Sequence, residues 1–207
     1  MAIKLEDVAI TGSLTIAQNA ISAQNRTTIM RQDPNAIFPI PFTYLRVWDD
    51  VATNLPGTSA ADDLGLINGT FGTSPPTISS GDVKVSSTTR YARFQVPLPE
   101  CYDSGETVSI SISAGMVTTI ADTSCTVDVE CYKLDKDAGI GGDLCATAAQ
   151  TINSLVFGDK VFSITPSGFV AGDVLDVRIT ITCVDAATGT AVKPTIGAID
   201  LLCDIKG

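Results

Sequence analysis

From about residue 37 onward, apolar and polar residues alternate with a period of two. Val108-Ser-Ile-Ser-Ile-Ser alternates strictly, and so does Thr126-Val-Asp-Val-Glu-Cys. Between Val174 and Val184, Leu175, Val177, Ile179, Ile181 and Cys183 fall on one face. Asp176, Arg178, Thr180 and Thr182 fall on the other. This pattern predicts half-buried antiparallel strands, one face in a core and one in water. Turn chemistry separates the runs, at Gly81-Asp82, Ser104-Gly105, Gly141-Gly142-Asp143, Gly158-Asp159, Gly172-Asp173 and Thr188-Gly189. The expected strands lie near 41–48, 64–71, 77–85, 90–98, 106–120, 123–134, 152–164, 173–185 and 195–206. Prolines sit at their boundaries: Pro39 and Pro41 around the first, Pro97 and Pro99 after the fourth, and Pro75-Pro76 in a loop. Many short strands with no long helix point to an all-β fold, a two-sheet antiparallel sandwich of jelly-roll type.

Residues 1–36 read differently. They are rich in Ala, Gln, Asn, Ser and Thr, with apolar residues at Ile3, Leu5, Val8, Ile10, Leu14, Ile16 and Ile21. Such a stretch cannot bury a core of its own. It is expected to be an N-terminal arm that docks on a neighbour, ahead of one sandwich domain over 37–207. A loose terminus is the plain alternative. Those seven apolar residues are the candidate interaction residues.

Composition narrows the function. The chain has 207 residues, 44% hydrophobic and 17% charged, enough for a substantial single core and too apolar for broad disorder. The net charge is 13 − 23 = −10. The arm is neutral, with Lys4, Arg26 and Arg31 against Glu6, Asp7 and Asp33, so the body carries all of the charge. An acidic body repels phosphate backbones, and direct nucleic-acid binding is not expected. There is no histidine. That removes the commonest general base and metal ligand, and with them every His-based hydrolase triad. The start, Met-Ala-Ile-Lys-Leu-Glu-Asp, does not read as a secretory leader, and no apolar run is long enough to span a membrane. The sequons at Asn25 and Asn68 then read as turn chemistry.

The six cysteines are Cys101, Cys125, Cys131, Cys145, Cys183 and Cys203, and none forms a CxxC. Cys125, Cys131, Cys183 and Cys203 share parity with apolar strand residues. They read as free, buried, small hydrophobes; disulfides are the sharper alternative.

Few constellations could carry chemistry. Asp135, Asp137 and Asp143, with Gly139 between, partly match a calcium loop but lack its closing Glu. Asp49-Asp50 and Asp62-Asp63 are paired carboxylates that could hold a ligand or act as a glycosidase acid and base. Solvated turns are the ordinary explanation of both. Tyr44, Trp48, Tyr91, Phe94, Tyr102 and Tyr132 are either core or a sugar-stacking platform. No cofactor motif is present, and an enzyme is not expected.

Four segments together carry a resemblance: Tyr44-Leu-Arg-Val-Trp-Asp-Asp, Leu64-Gly-Leu-Ile-Asn-Gly-Thr-Phe-Gly, Thr89-Arg-Tyr-Ala-Arg-Phe-Gln-Val-Pro-Leu-Pro and Gly172-Asp-Val-Leu-Asp-Val-Arg-Ile-Thr-Ile. The combination resembles the jelly-roll decoration, or cement, proteins of tailed-bacteriophage heads. The resemblance implies a homotrimer on the head exterior that clamps neighbouring major capsid protein subunits. It also implies assembly in the bacterial cytoplasm, with no membrane partner. The alternative is a carbohydrate- or receptor-binding jelly roll of a phage tail or fibre.

Overall fold

A computed structural model describes residues 35–206 apart from 136, 138 and 188. The seven candidate interaction residues of the arm lie outside the described residues. Among the described residues, ten strands form two antiparallel sheets. In chain order they are β1 (Asn35–Pro39), β2 (Gly65–Ile67), β3 (Thr77–Ser79), β4 (Ser86–Pro97) and β5 (Val108–Met116). β6 (Ser124–Lys133), β7 (Gln150–Thr151), β8 (Gly158–Ile164), β9 (Val174–Asp185) and β10 (Pro194–Asp204) follow.

The larger sheet runs β2-β3-β10-β5-β8, with β1 also on β10, and the smaller runs β4-β9-β6-β7. The pairing is nested. β6 pairs β7, β5 pairs β8, β4 pairs β9 and β3 pairs β10. From β3 to β10 the chain is thus one long antiparallel ribbon folded over on itself. The two sheets close through β10 on β5 and β6 on β9. This is the jelly-roll order, a double-sheet solution that hides most strand edges. The all-β sandwich expected from the alternation is the fold observed.

The core lies between the sheets. Ile110 and Ile112 of β5, Phe162 of β8, Phe94 of β4, Val127 of β6, Ile179 and Ile181 of β9 and Ile196 of β10 are all sealed from solvent. The long strands form where alternation is strictest, because a one-residue slip would turn every apolar side chain outward.

Four expected strands change, and of these 64–71 and 77–85 shorten to the three residues of β2 and of β3. The stretch 41–48 is a 3-10 turn at Phe42–Tyr44, closed by the Leu45 amide donating to the Phe42 carbonyl at 3.1 Å. Proline has no N–H for a ladder, so Pro39 and Pro41 end the pairing there. The strand begins earlier instead, with Asn35 and Ala36 paired to Asp204 and Cys203. Of the stretch 152–164 only Gly158–Ile164 (β8) is strand, and β7 ends just before the stretch, in the other sheet. Asn153 causes the break. Its side-chain amide donates to the Ala121 carbonyl and accepts from the Ala121 amide, both at 2.8 Å, and so replaces a ladder partner.

Candidate functional site

The two outer faces of the sandwich differ, and the strand registers define both. Residues opposed in a ladder share a face. On the larger sheet, Ile37, Leu202, Ser109 and Ser163 form one outward row. Pro39, Asp200, Ser111 and Val161 form the next, and Ala198, Ser113 and Asp159 a third. The central strand β5 therefore presents Ser109, Ser111, Ser113 and Gly115 as a floor of small residues. Taller apolar side chains flank it, Ile37 and Leu202 on one side and Val161 on the other. Ile37 is 65% exposed and Val161 45%, whereas Ser109 and Ser111 are buried between such flanks.

Phe157 closes one end of this trough. Its ring lies where a Cβ on Gly115 would sit, 2.9 Å from ring carbon Cδ2, and within 3.5 Å of a Cβ on Gly197. Only glycine at Gly115 lets an aromatic ring lie so close to the strand. Beyond Phe157 the trough opens into a groove of about 590 Å³ lined by Val117, Thr77, Thr195 and Phe157. Lys193 and Asp82 flank that groove as an ion pair at 3.0 Å. The loop before Phe157 adds exposed Leu155 and Val156, the latter 79% accessible.

The outer face of the smaller sheet is polar and internally paired. Asp176 on β9 is buried, and it accepts Arg93 Nε at 2.7 Å and a second bond from Arg93 Nη2. That hydrogen bonding holds the Arg93 guanidinium above its ordinary pKa. Arg178 pairs with Glu130. Its guanidinium also packs over the rings of Trp48 at 5.3 Å and Tyr91 at 5.1 Å, a double cation–π contact. Trp48, Arg93, Tyr132, Ile140, Asp176 and Arg178 line a depression of about 250 Å³. Trp48 reaches this face because the 3-10 turn redirects the chain after Pro41. Its indole N–H donates to Asp62 Oδ2 at 2.9 Å.

The aromatic residues singled out in the sequence thus divide. Phe94 and Tyr102 are core, and Tyr102 donates its hydroxyl to the Glu106 carbonyl at 2.7 Å. Trp48, Tyr91 and Tyr132 gather on the smaller sheet, while Tyr44 is exposed. Alternation foretold the strand positions; the placement of Trp48 on the same face needed the turn.

The paired acids come partly together. Asp50 caps its own turn, accepting from Thr53 Oγ1 at 2.6 Å and the Ala52 amide at 3.1 Å. Asp63 has its pKa raised, first by burial and then by the charges of Asp62 and Asp49. Its Oδ1 is buried without a hydrogen-bond partner. The calcium candidates separate. Asp135 and Asp137 share a depression with Lys133 and Asp173, and Lys133 pairs with Asp173 at 2.7 Å. Asp143 is spent elsewhere, its Oδ1 accepting the Cys131 and Cys145 amides at 2.9 Å each. Among the described residues, no three His, Cys, Asp or Glu side chains are grouped to hold a metal.

All six cysteines are free thiols. Cys125, Cys131, Cys183 and Cys203 are buried, as their strand parity predicts. Burial pushes Cys131 up to about 12 and Cys203 up to about 11.

By fold the chain is a jelly-roll β-sandwich. No protein-family model matches it, and no curated protein matches it. Solved structures of similar shape include the CBM22-1 xylan-binding domain of Xyn10C from Paenibacillus barcinonensis, at 10% identity and TM-score 0.43. The match covers 84% of this chain and 98% of that one. A CBM15 xylan-binding module matches at 13% identity and TM-score 0.43, over 84% of this chain and 100% of the module. A structure of infectious bursal disease virus, Gt strain, matches at 12% identity and TM-score 0.35, over 83% of this chain and 32% of that one. The functional reading rests on the two faces themselves.

Proposed function

We propose that this chain is a non-catalytic structural protein that docks on a larger protein assembly through the outer face of its larger sheet. The assembly we propose is the head of a tailed bacteriophage, with the chain a trimeric decoration protein bound to the major capsid protein on the head exterior. One observation carries the docking reading. A floor of small residues on β5 is flanked by exposed Ile37 and Val161 and ends at exposed Phe157, Leu155 and Val156. Exposed apolar side chains grouped in this way, with Asp200 and Asp159 set among them, fit an interaction surface. The resemblance of the four quoted segments supports the choice of a phage head.

Three acids of the body serve the fold. Asp143 and Asp176 are committed to named neighbours. So is Asp122, whose two oxygens accept the Ala186 and Ala187 amides at 2.7 Å each. Held this way, they brace loops and strands instead of facing a reacting group. Threefold symmetry would let several modest contacts act together.

A second reading has its own observation. Trp48, Tyr91 and Tyr132 stand beside Arg93 and Asp176 at a shallow depression. Amphipathic rings with planar polar groups are how proteins hold sugars, so the smaller sheet is the place for a glycan. One experiment separates the readings. The purified chain is incubated with undecorated, expanded heads of the phage that encodes it, sedimented, and in parallel applied to a glycan array. Docking predicts co-sedimentation of a trimer and a dark array. Glycan binding predicts array signal lost in Trp48→Ala, and no sedimentation.

A further inference from the structure

Cys125 on β6 and Cys183 on β9 are opposed residues in the β6–β9 ladder. Both point into the core and are sealed from solvent. Opposed residues in an antiparallel ladder are of two kinds. Some exchange two backbone hydrogen bonds; the others exchange none and bring their Cα atoms to about 4.5 Å. The backbone of Cys125 tells which kind this is. Its carbonyl accepts the Ile152 amide at 2.9 Å, on the β7 side of β6. The N–H and C=O of a strand residue point the same way, so Cys125 turns both away from β9. Cys131, of the same parity, agrees. Its amide donates to Asp143 and its carbonyl accepts the Leu144 amide, again away from β9.

Cys125 and Cys183 are therefore a non-hydrogen-bonded pair. Its spacing, about 4.5 Å, falls within the roughly 4.4–6.8 Å that a disulfide spans between Cα atoms. The other strand cysteines lack such a partner: Cys131 faces Val177, and Cys203 faces Ala36 and Val108. The two thiols act on each other: Cys183, with burial behind it, pushes the Cys125 thiol up, and Cys125 draws the Cys183 thiol down.

We propose that Cys125 and Cys183 are a latent cross-strand disulfide, free under reducing conditions and joined when the chain folds in the presence of an external disulfide. The external disulfide is of the glutathione or thiol–disulfide oxidoreductase class. One thiolate attacks it, forming a mixed disulfide and releasing one thiolate. The second cysteine, deprotonated, attacks the protein sulfur of that mixed disulfide and releases the other. The protein loses two protons and two electrons; the external disulfide is reduced to two thiols. Both sulfurs are sealed in the closed sandwich, so the bond forms before the core closes. It would staple β6 to β9 in their native register.

The test starts from the full chain, unfolded and reduced, then refolded in mixed oxidised and reduced glutathione. Free thiols are alkylated, and the protein is cut by a protease that cleaves before aspartate. Asp122, Asp128, Asp176 and Asp185 then release residues 122–127 with only Cys125 and 176–184 with only Cys183. The expected product is these two peptides joined. The melting midpoint should also fall on adding dithiothreitol, and this fall should vanish in the Cys125→Ala/Cys183→Ala variant. The same mapping on chain expressed in an oxidising bacterial host needs no refolding. Recovery of the two peptides separately alkylated from both preparations would overturn the proposal, as would Cys125 joined to any other cysteine.

Discussion

Asp176 shows how single residues hold the polar face. It is buried, and Arg93 holds it in a bidentate grip while Gln95 adds a longer bond at 3.4 Å. Removing one partner of such a pair leaves the other desolvated and unpaired, the costly case for a buried ion pair. Asp176→Ala is expected to cost about 3 kcal/mol of stability in chemical denaturation, the lower end of the roughly 3–5 kcal/mol for breaking a buried pair, because Arg93 is partly exposed. Asp63 is the opposite case. Burial, then Asp62 and Asp49, raise its pKa. A carboxyl raised on folding stabilises the fold below its unfolded value and loses that contribution as pH rises through its folded value. Asp63→Asn should therefore raise the melting midpoint near neutral pH. The gain should vanish below the ordinary value of 3.8, where both forms are uncharged. Little of this was legible in the sequence. Asp143 belonged to a partial calcium-loop match because adjacency along the chain says nothing of direction; in the loop after β6 its carboxylate accepts two backbone amides.

At the scale of elements, legibility followed the alternation. The long strands β4, β6, β9 and β10 emerged within a few residues of their expected bounds, because each buries an apolar face, one that runs unbroken along β6 and β9. Short elements were over-extended or missed: β2 and β3 lie inside the longer expected stretches 64–71 and 77–85, and β7 falls outside any expected strand. β2 and β3 have three residues each, too few for a period to register, and β7 has two. The nested pairing was invisible, since alternation fixes which face is inside and not which strand lies next. Two predictions belong here. Ile110 is fully buried on β5, between β10 and β8. Ile110→Ala should cost about 3 kcal/mol, measured by denaturant titration. Gly115 meets Phe157 and the Ser154 carbonyl, with a Cβ placed at 2.9 and 3.1 Å from them. Gly115→Val should lift Phe157 off the sheet, raising its exposure and lowering stability. Proteolysis of the 152–157 loop would report the release.

For the whole molecule, the two outer faces divide the account. The smaller sheet's face closes on itself through Arg93–Asp176 and Arg178–Glu130. The larger sheet leaves Ile37, Val161 and Phe157 without such partners. The sequence reading expects attachment through the arm, at Ile3, Leu5, Val8, Ile10, Leu14, Ile16 and Ile21, which lie outside the described residues. The face proposed for docking is a second element, and one no periodicity could reveal. Its trough is assembled from β1, β5, β8 and β10, which are far apart in the chain. A latent Cys125–Cys183 link would act on the other sheet and leave this face unchanged. Closing a loop of 58 residues, 183 − 125, it would stabilise the fold by about 4 kcal/mol in the chain-entropy model.

The most direct test of docking through the larger sheet is an electron cryo-microscopy reconstruction, at side-chain resolution, of heads decorated with the chain. The account predicts that Ile37, Leu202, Val161 and Phe157 face the shell and that Trp48 and Tyr132 face solvent. Density that seats the Trp48–Tyr132 depression on the shell, or heads that carry no copy of the chain, would contradict it.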